Sequence, residues 1–161
     1  MDRSCILSPR CATWVLAALA LFLSTPAAIQ AQGEPPAEPS AAEEIRTVVE
    51  EFHAALAAGD SSRALEYLHR EVVVYEAGHA ESLAEYRSGH LASDIAFSRA
   101  VTFETVRDTV IPGPELSLYL REYRMTGTFR ERKIDAHGVE TIVLESTEEG
   151  CKIRHIHWSS R

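Results

Sequence analysis

Cys151-Lys-Ile-Arg-His-Ile-His-Trp-Ser-Ser-Arg161 ends the chain, and its alternation of apolar and polar residues marks a β-strand. Successive side chains of a strand point to opposite faces, so Ile153, His155 and His157 are expected on one face. If that face is the inner wall of a curved sheet, the strand presents two imidazoles to a cavity. At roughly 3.3 Å of rise per residue they stand about 6.5–7 Å apart.

Reading towards the N-terminus, the same period of two recurs. Glu148-Glu149-Gly150 reads as a turn, Val139 to Thr147 as a strand and Asp135 to Gly138 as a turn. Glu115 to Phe129 makes a long strand, and Pro112-Gly113-Pro114 separates it from an alternating run that begins at Val101. Before that the spacing becomes helical. Ser82 with Glu85 forms a capping box that opens a helix carrying Leu83, Tyr86, His90, Leu91 and Phe97. Val72 to Tyr75 is β-branched and bounded by Gly78, so it reads as a strand. Asp60 caps a short helix that runs to about His69. Glu43 to Ala58 is a longer helix, with Ile45, Val48, Val49, Phe52, Ala55 and Leu56 on its apolar stripe and Gly59 after its end.

The N-terminal region is of another composition. Arg3 and Arg10 precede a 13-residue apolar run, Cys11 to Leu23, too short to span a bilayer. Small and polar residues up to Ala31 follow, so residues 1–31 are read as a signal peptide and the protein as periplasmic or secreted. Residues 32–42, with Pro35, Pro36 and Pro39, read as a disordered linker. The remaining 119 residues, 43–161, match one domain. Removing the leader's net +1 takes the formal charge from −8 to −9, which disfavours nucleic acid or an anionic membrane as partner. Only Cys151 of the three cysteines lies beyond the leader, so no intrachain disulfide is expected.

Element order and residues together resemble the NTF2-like superfamily, and within it the SnoaL-like branch. The marks are Val49-Glu-Glu-Phe52, Ala58-Gly-Asp60, Ala64-Leu65 and the ending Gly150 to Ser159. The His-x-His-x-Ser ending is also similar to the calcium/calmodulin kinase hub domain. Where the family usually has Trp after the glycine of the last turn, this chain has Cys151. The resemblance implies an α+β cone, a curved antiparallel sheet wrapped around three N-terminal helices, with a pocket between them. It also implies dimerisation through the outer side of the sheet. An exported small-molecule-binding protein is the first reading. The alternatives are an acid–base isomerase, cyclase or hydratase, and a non-catalytic oligomerisation hub.

His155 and His157 are the candidate catalytic pair. The plainer reading, hydrogen-bonded pocket or interface residues, stands ahead of both general acid–base work and chelation of one metal, for which none of His79, Glu76 and His90 stands at a spacing that specifies a third ligand. No metal and no cofactor is therefore expected. Tyr75, His79, Tyr86 and His90 are ligand-binding candidates around the first strand and third helix. On the long strand Tyr119, Arg121 and Tyr123 share a face, two aromatics flanking a guanidinium. Asp94, Asp108 and Glu76 are the carboxylates available for proton transfer, with no spacing that selects among them. Nucleophile elbow, phosphate loop and dinucleotide fingerprint are absent from the sequence.

Overall fold

The computed structural model describes residues 39–161. The expected signal peptide, and all of the expected linker but its last few residues, lie outside the described residues. Four helices precede or interrupt a six-stranded sheet: α1 (Ala41–Ala58), α2 (Ser61–Glu66), β1 (Leu68–Glu76), β2 (His79–Ser82), α3 (Leu83–Ser88), α4 (Leu91–Ala100), β3 (Val101–Ile111), β4 (Leu116–Phe129), β5 (Arg132–Thr147) and β6 (Gly150–Ser160). The strand order is β2-β1-β6-β5-β4-β3.

Helix α1 begins two residues earlier than its apolar stripe alone implies. Ser40 caps it through a reciprocal box with Glu43, so Ala41 and Ala42 form the first turn rather than the end of a tether. Ile45, Val49, Phe52, Ala55 and Leu56 bury one face, and Gly59 ends the helix at φ 82, a conformation glycine takes without strain. Helix α2 stops at Glu66 instead of His69. Tertiary pairing takes over there, because Ile153 N–H donates to Tyr67 O at 2.8 Å and Leu68 pairs with Ile153.

The expected third helix is two. Gly89 and His90 break it, and the His90 ring bonds Glu81 at 2.8 Å instead of capping α4. The sheet is mixed, not purely antiparallel. Strands β3 to β6 form an antiparallel meander, but β1 pairs with β6 in parallel. A parallel pair needs a long crossover, and everything from β2 to β5 separates these two strands in sequence.

The β4–β5 turn falls at Arg130 and Glu131, with φ of 48° and 65°, and not at residues 135–138. Asp135 is a cross-strand partner of Arg124 at 2.9 Å. Gly138 instead pairs with Tyr123 inside β5, where a side chain would fall inside the Tyr123 ring.

The last strand carries a bulge. Leu144 pairs with Ile153 and Val143 with His155, which leaves Arg154 as the extra residue. Its guanidinium reaches Glu145 at 3.3 Å and Glu71 at 3.6 Å. The bulge shifts the alternation, so Ile153 and Ile156 are both wholly buried on the inner face. His155 and His157 therefore share a face with each other but not with Ile153, which corrects the simple alternation.

Candidate functional site

Alternation along β4 puts Tyr119, Arg121, Tyr123 and Met125 on the inner face and Leu118, Leu120 and Glu122 on the outer. On β5 the inner set is Gly138, Glu140, Ile142 and Leu144. Most inner residues fuse with α1 into the main core. Towards α4 the sheet and helices diverge, and a cavity of about 770 Å³ remains between α1, α4, the β1–β2 turn and the inner sheet.

One side of the cavity is apolar. Phe97, Phe103 and Phe129 meet edge to face, with ring centroids 5.2 and 5.9 Å apart, and Tyr123, Met125 and Val101 pack beside them. Burial pushes the Tyr123 hydroxyl up to about 12, so it stays protonated. Two polar groups complete the lining.

The first is built on Glu140, a charged residue on the inner face of an otherwise apolar strand and 3% exposed. Its Oε1 faces His53 Nε2 at 2.9 Å and accepts from the Trp158 indole N–H at 2.5 Å. Its Oε2 has no hydrogen bond and lies 3.9 Å from Arg121 Nη1. Arg121 donates to His53 Nδ1 at 3.3 Å and to Thr105 Oγ1 at 3.0 Å, and lies over the Tyr123 ring. Arginine has no acceptor, so a neutral His53 carries its proton on Nε2, towards Glu140. Burial alone would raise the Glu140 carboxyl, but His53, Trp158 and Arg121 outweigh it and hold it below the usual range.

The second group gathers Glu76, Asp94 and His90 on the cavity wall, with Glu81 and Tyr86 behind them. Desolvation, and then the charge of Glu76, pushes Asp94 up to about 6. Desolvation also raises Glu76, while the hydrogen bond to Glu81 raises His90. Tyr86 is wholly buried, and its hydroxyl acts on Asp94 and lowers that carboxyl, although neither it nor Asp94 Oδ2 completes a well-formed hydrogen bond. Burial and the charge of Asp94 hold that hydroxyl protonated.

Of the residues picked from sequence, His90, Arg121 and Tyr123 line the cavity and His157 borders it. Tyr86 and Tyr119 are in the core. Tyr75 is 45% exposed and packs edge-on against both imidazoles, at 4.8 Å from His155 and 6.3 Å from His157. His155 bonds Val73 O through Nδ1 at 2.8 Å, and His79 is exposed on β2. Asp108 is spent on Arg46 at 2.7 Å. Sequence reasoning passed over Glu140, His53 and Trp158. The signal was a carboxylate two residues before Ile142 and four before Leu144, hence on the core face. Among the described residues no three His, Cys, Asp or Glu side chains converge as a metal site.

This arrangement of helices and curved sheet is that of known structures. The crystal structure of a candidate ketosteroid isomerase from Shewanella frigidimarina is 31% identical, covering 70% of this chain and 92% of that one with a TM-score of 0.68. A candidate dehydratase of the NTF2-like family from Streptomyces avermitilis is 16% identical over 74% of this chain and 95% of that one, TM-score 0.66. A candidate calcium/calmodulin-dependent kinase II association domain from Xanthomonas campestris is 18% identical over 80% and 93%, TM-score 0.64. The chain belongs to the NTF2-like superfamily. No family model matches the sequence, and no curated protein matches it.

Proposed function

We propose that this protein is exported and binds a small, partly apolar molecule in the cavity between α1, α4 and the sheet. One observation carries the binding reading: a cavity of about 770 Å³ with an aromatic side and a few converging polar groups. That is the size and make-up of sites that enclose small ligands. The export part is supported by the leader-like sequence of residues 1–31. N-Phenyl-1-naphthylamine, a neutral apolar dye, is expected to bind one site with a rise in fluorescence. Ser93→Trp, which puts an indole into the cavity from α4, should weaken it at least tenfold. Equal binding by both proteins would place the dye elsewhere and remove the reading.

A second reading, an acid–base isomerase, is supported by Asp94, and the Shewanella relative is named for ketosteroid isomerase. Raised to about 6, Asp94 is a cavity carboxyl able to exchange a proton near neutral pH. The sheet face that carries His155 and His157 offers a further interaction. Leu118, Leu120, Val139 and Val143 stand on it beside Tyr75, and Val139 is 52% exposed. We propose that a second copy covers this face. Sedimentation equilibrium should give a dimer, and Val143→Lys a monomer; a monomeric wild-type protein overturns this.

A further inference from the structure

The two polar ends of the cavity are unequal in charge. At one end Arg121 already has the buried Glu140 carboxylate 3.9 Å away, so little net charge remains there. At the other, Glu76 and Asp94 both line the cavity with His90, whose ring bonds Glu81 at 2.8 Å and whose positive charge also acts on both lining carboxylates, so one imidazole stands against three carboxylates. Two carboxylates are thus left facing one apolar space. Asp94 Oδ2 has no well-formed hydrogen bond, and besides the charge of His90 the side chain that favours its ionised form is the wholly buried Tyr86 hydroxyl.

Each carboxylate has an aromatic ring next to it. Asp94 and Phe97 are one turn apart on α4 and both line the cavity. Glu76 pairs across strands with Trp158, whose indole stacks on Phe52, 6.5 Å between centroids and 8° between planes. Partly buried carboxylates with aromatic rings beside them in one cavity favour a cation with several N–H donors: rings attract a cation through their quadrupoles and the oxygens accept its protons.

We infer that the ligand is an amine, its ammonium group held between Glu76 and Asp94 beside Trp158 and Phe97, with its apolar body towards Phe103 and Met125. This rests on the cavity being the binding site. An ammonium placed there also relieves the repulsion between the two carboxylates, which a neutral ligand of the same shape does not.

Benzylamine, benzyl alcohol and benzoate share a ring and differ in charge. Titrated into the full chain at pH 7.5, with the backbone amides of Glu76, Asp94 and Trp158 followed by NMR, benzylamine should bind at least tenfold more tightly than benzyl alcohol. Benzoate should be the weakest. In Asp94→Asn the preference for the amine should fall below about threefold, since one of two charges holding it is gone. If benzyl alcohol or benzoate shifts the same amides with equal or higher affinity, the charge inference is wrong while the cavity reading stands. If none of the three shifts these amides, both fail.

Discussion

Asp94→Asn is expected to make the protein more stable at pH 7.5, by about 2–3 kcal/mol, while removing most of its preference for an amine. In the fold the carboxyl is raised from 3.8 to about 6, first by desolvation and then by Glu76. At about 1.4 kcal/mol per pKa unit, keeping it ionised at neutral pH opposes folding by the stated amount. Asparagine has the same shape and no charge to desolvate. Protonation of Asp94 gives the folded state an advantage that is complete below 3.8 and is lost as the pH rises through about 6. The wild type should therefore gain on the variant between pH 7.5 and pH 5. Glu76, also raised, acts in the same sense in both proteins. His90 is raised as well, so its contribution is present below 6.5 and fades as the pH rises through its higher folded value. Urea denaturation of both proteins at the two pH values decides the matter. A variant less stable than wild type at pH 7.5 would mean that the Tyr86 hydroxyl and His90 favour the carboxylate by more than its burial and Glu76 oppose it.

A residue that destabilises the fold where it stands is commonly kept for what it binds. The same applies to Glu76, held half-buried at the end of β1 next to Asp94. Neither was separable by sequence from Asp108, because a carboxylate on a periodic element looks the same whether it faces Arg46 or a cavity. What distinguishes them is the path of α4, which follows from the break at Gly89 and His90. That break was hidden by a continuous apolar spacing from Leu83 to Phe97. The helical stripe of α1 and the alternation of β4 were legible, because each element buries one face against the core and the period records it. Alternation also placed Tyr119, Arg121 and Tyr123 together, but not inside or outside, since that depends on what covers the sheet. The last strand shows the limit most clearly. Arg154 is an ordinary polar residue in an alternating run, and nothing local announces that it stands out as a bulge paired with Glu71 and Glu145. That single extra residue is why Ile156 and Trp158, rather than the histidines, face inward.

Glu140→Gln should lower stability by roughly 3 kcal/mol, the usual consequence of removing one charge from a buried pair. The glutamine oxygen can still accept from Trp158 or His53. Its amide nitrogen then takes the position of Oε2, 3.9 Å from Arg121 Nη1, and sets a donor against a donor. Arg121 is left with its charge unmatched and its side chain only 10% exposed. Because Glu140 ionises in the fold below its ordinary 4.5, its contribution is complete above that pH and fades as the pH falls through the lower folded value. The stability difference between wild type and variant, followed from pH 8 downwards, should accordingly shrink in strong acid. A double-mutant cycle with His53→Ala would show coupling, since both act on one network. The variant also changes the cavity. With Glu140 neutral, Arg121 becomes an uncompensated cation, so benzoate should bind more tightly than it does to wild type while benzylamine weakens. A variant as stable as wild type across that range, with unchanged order of the three probes, would show that the guanidinium is satisfied without Glu140.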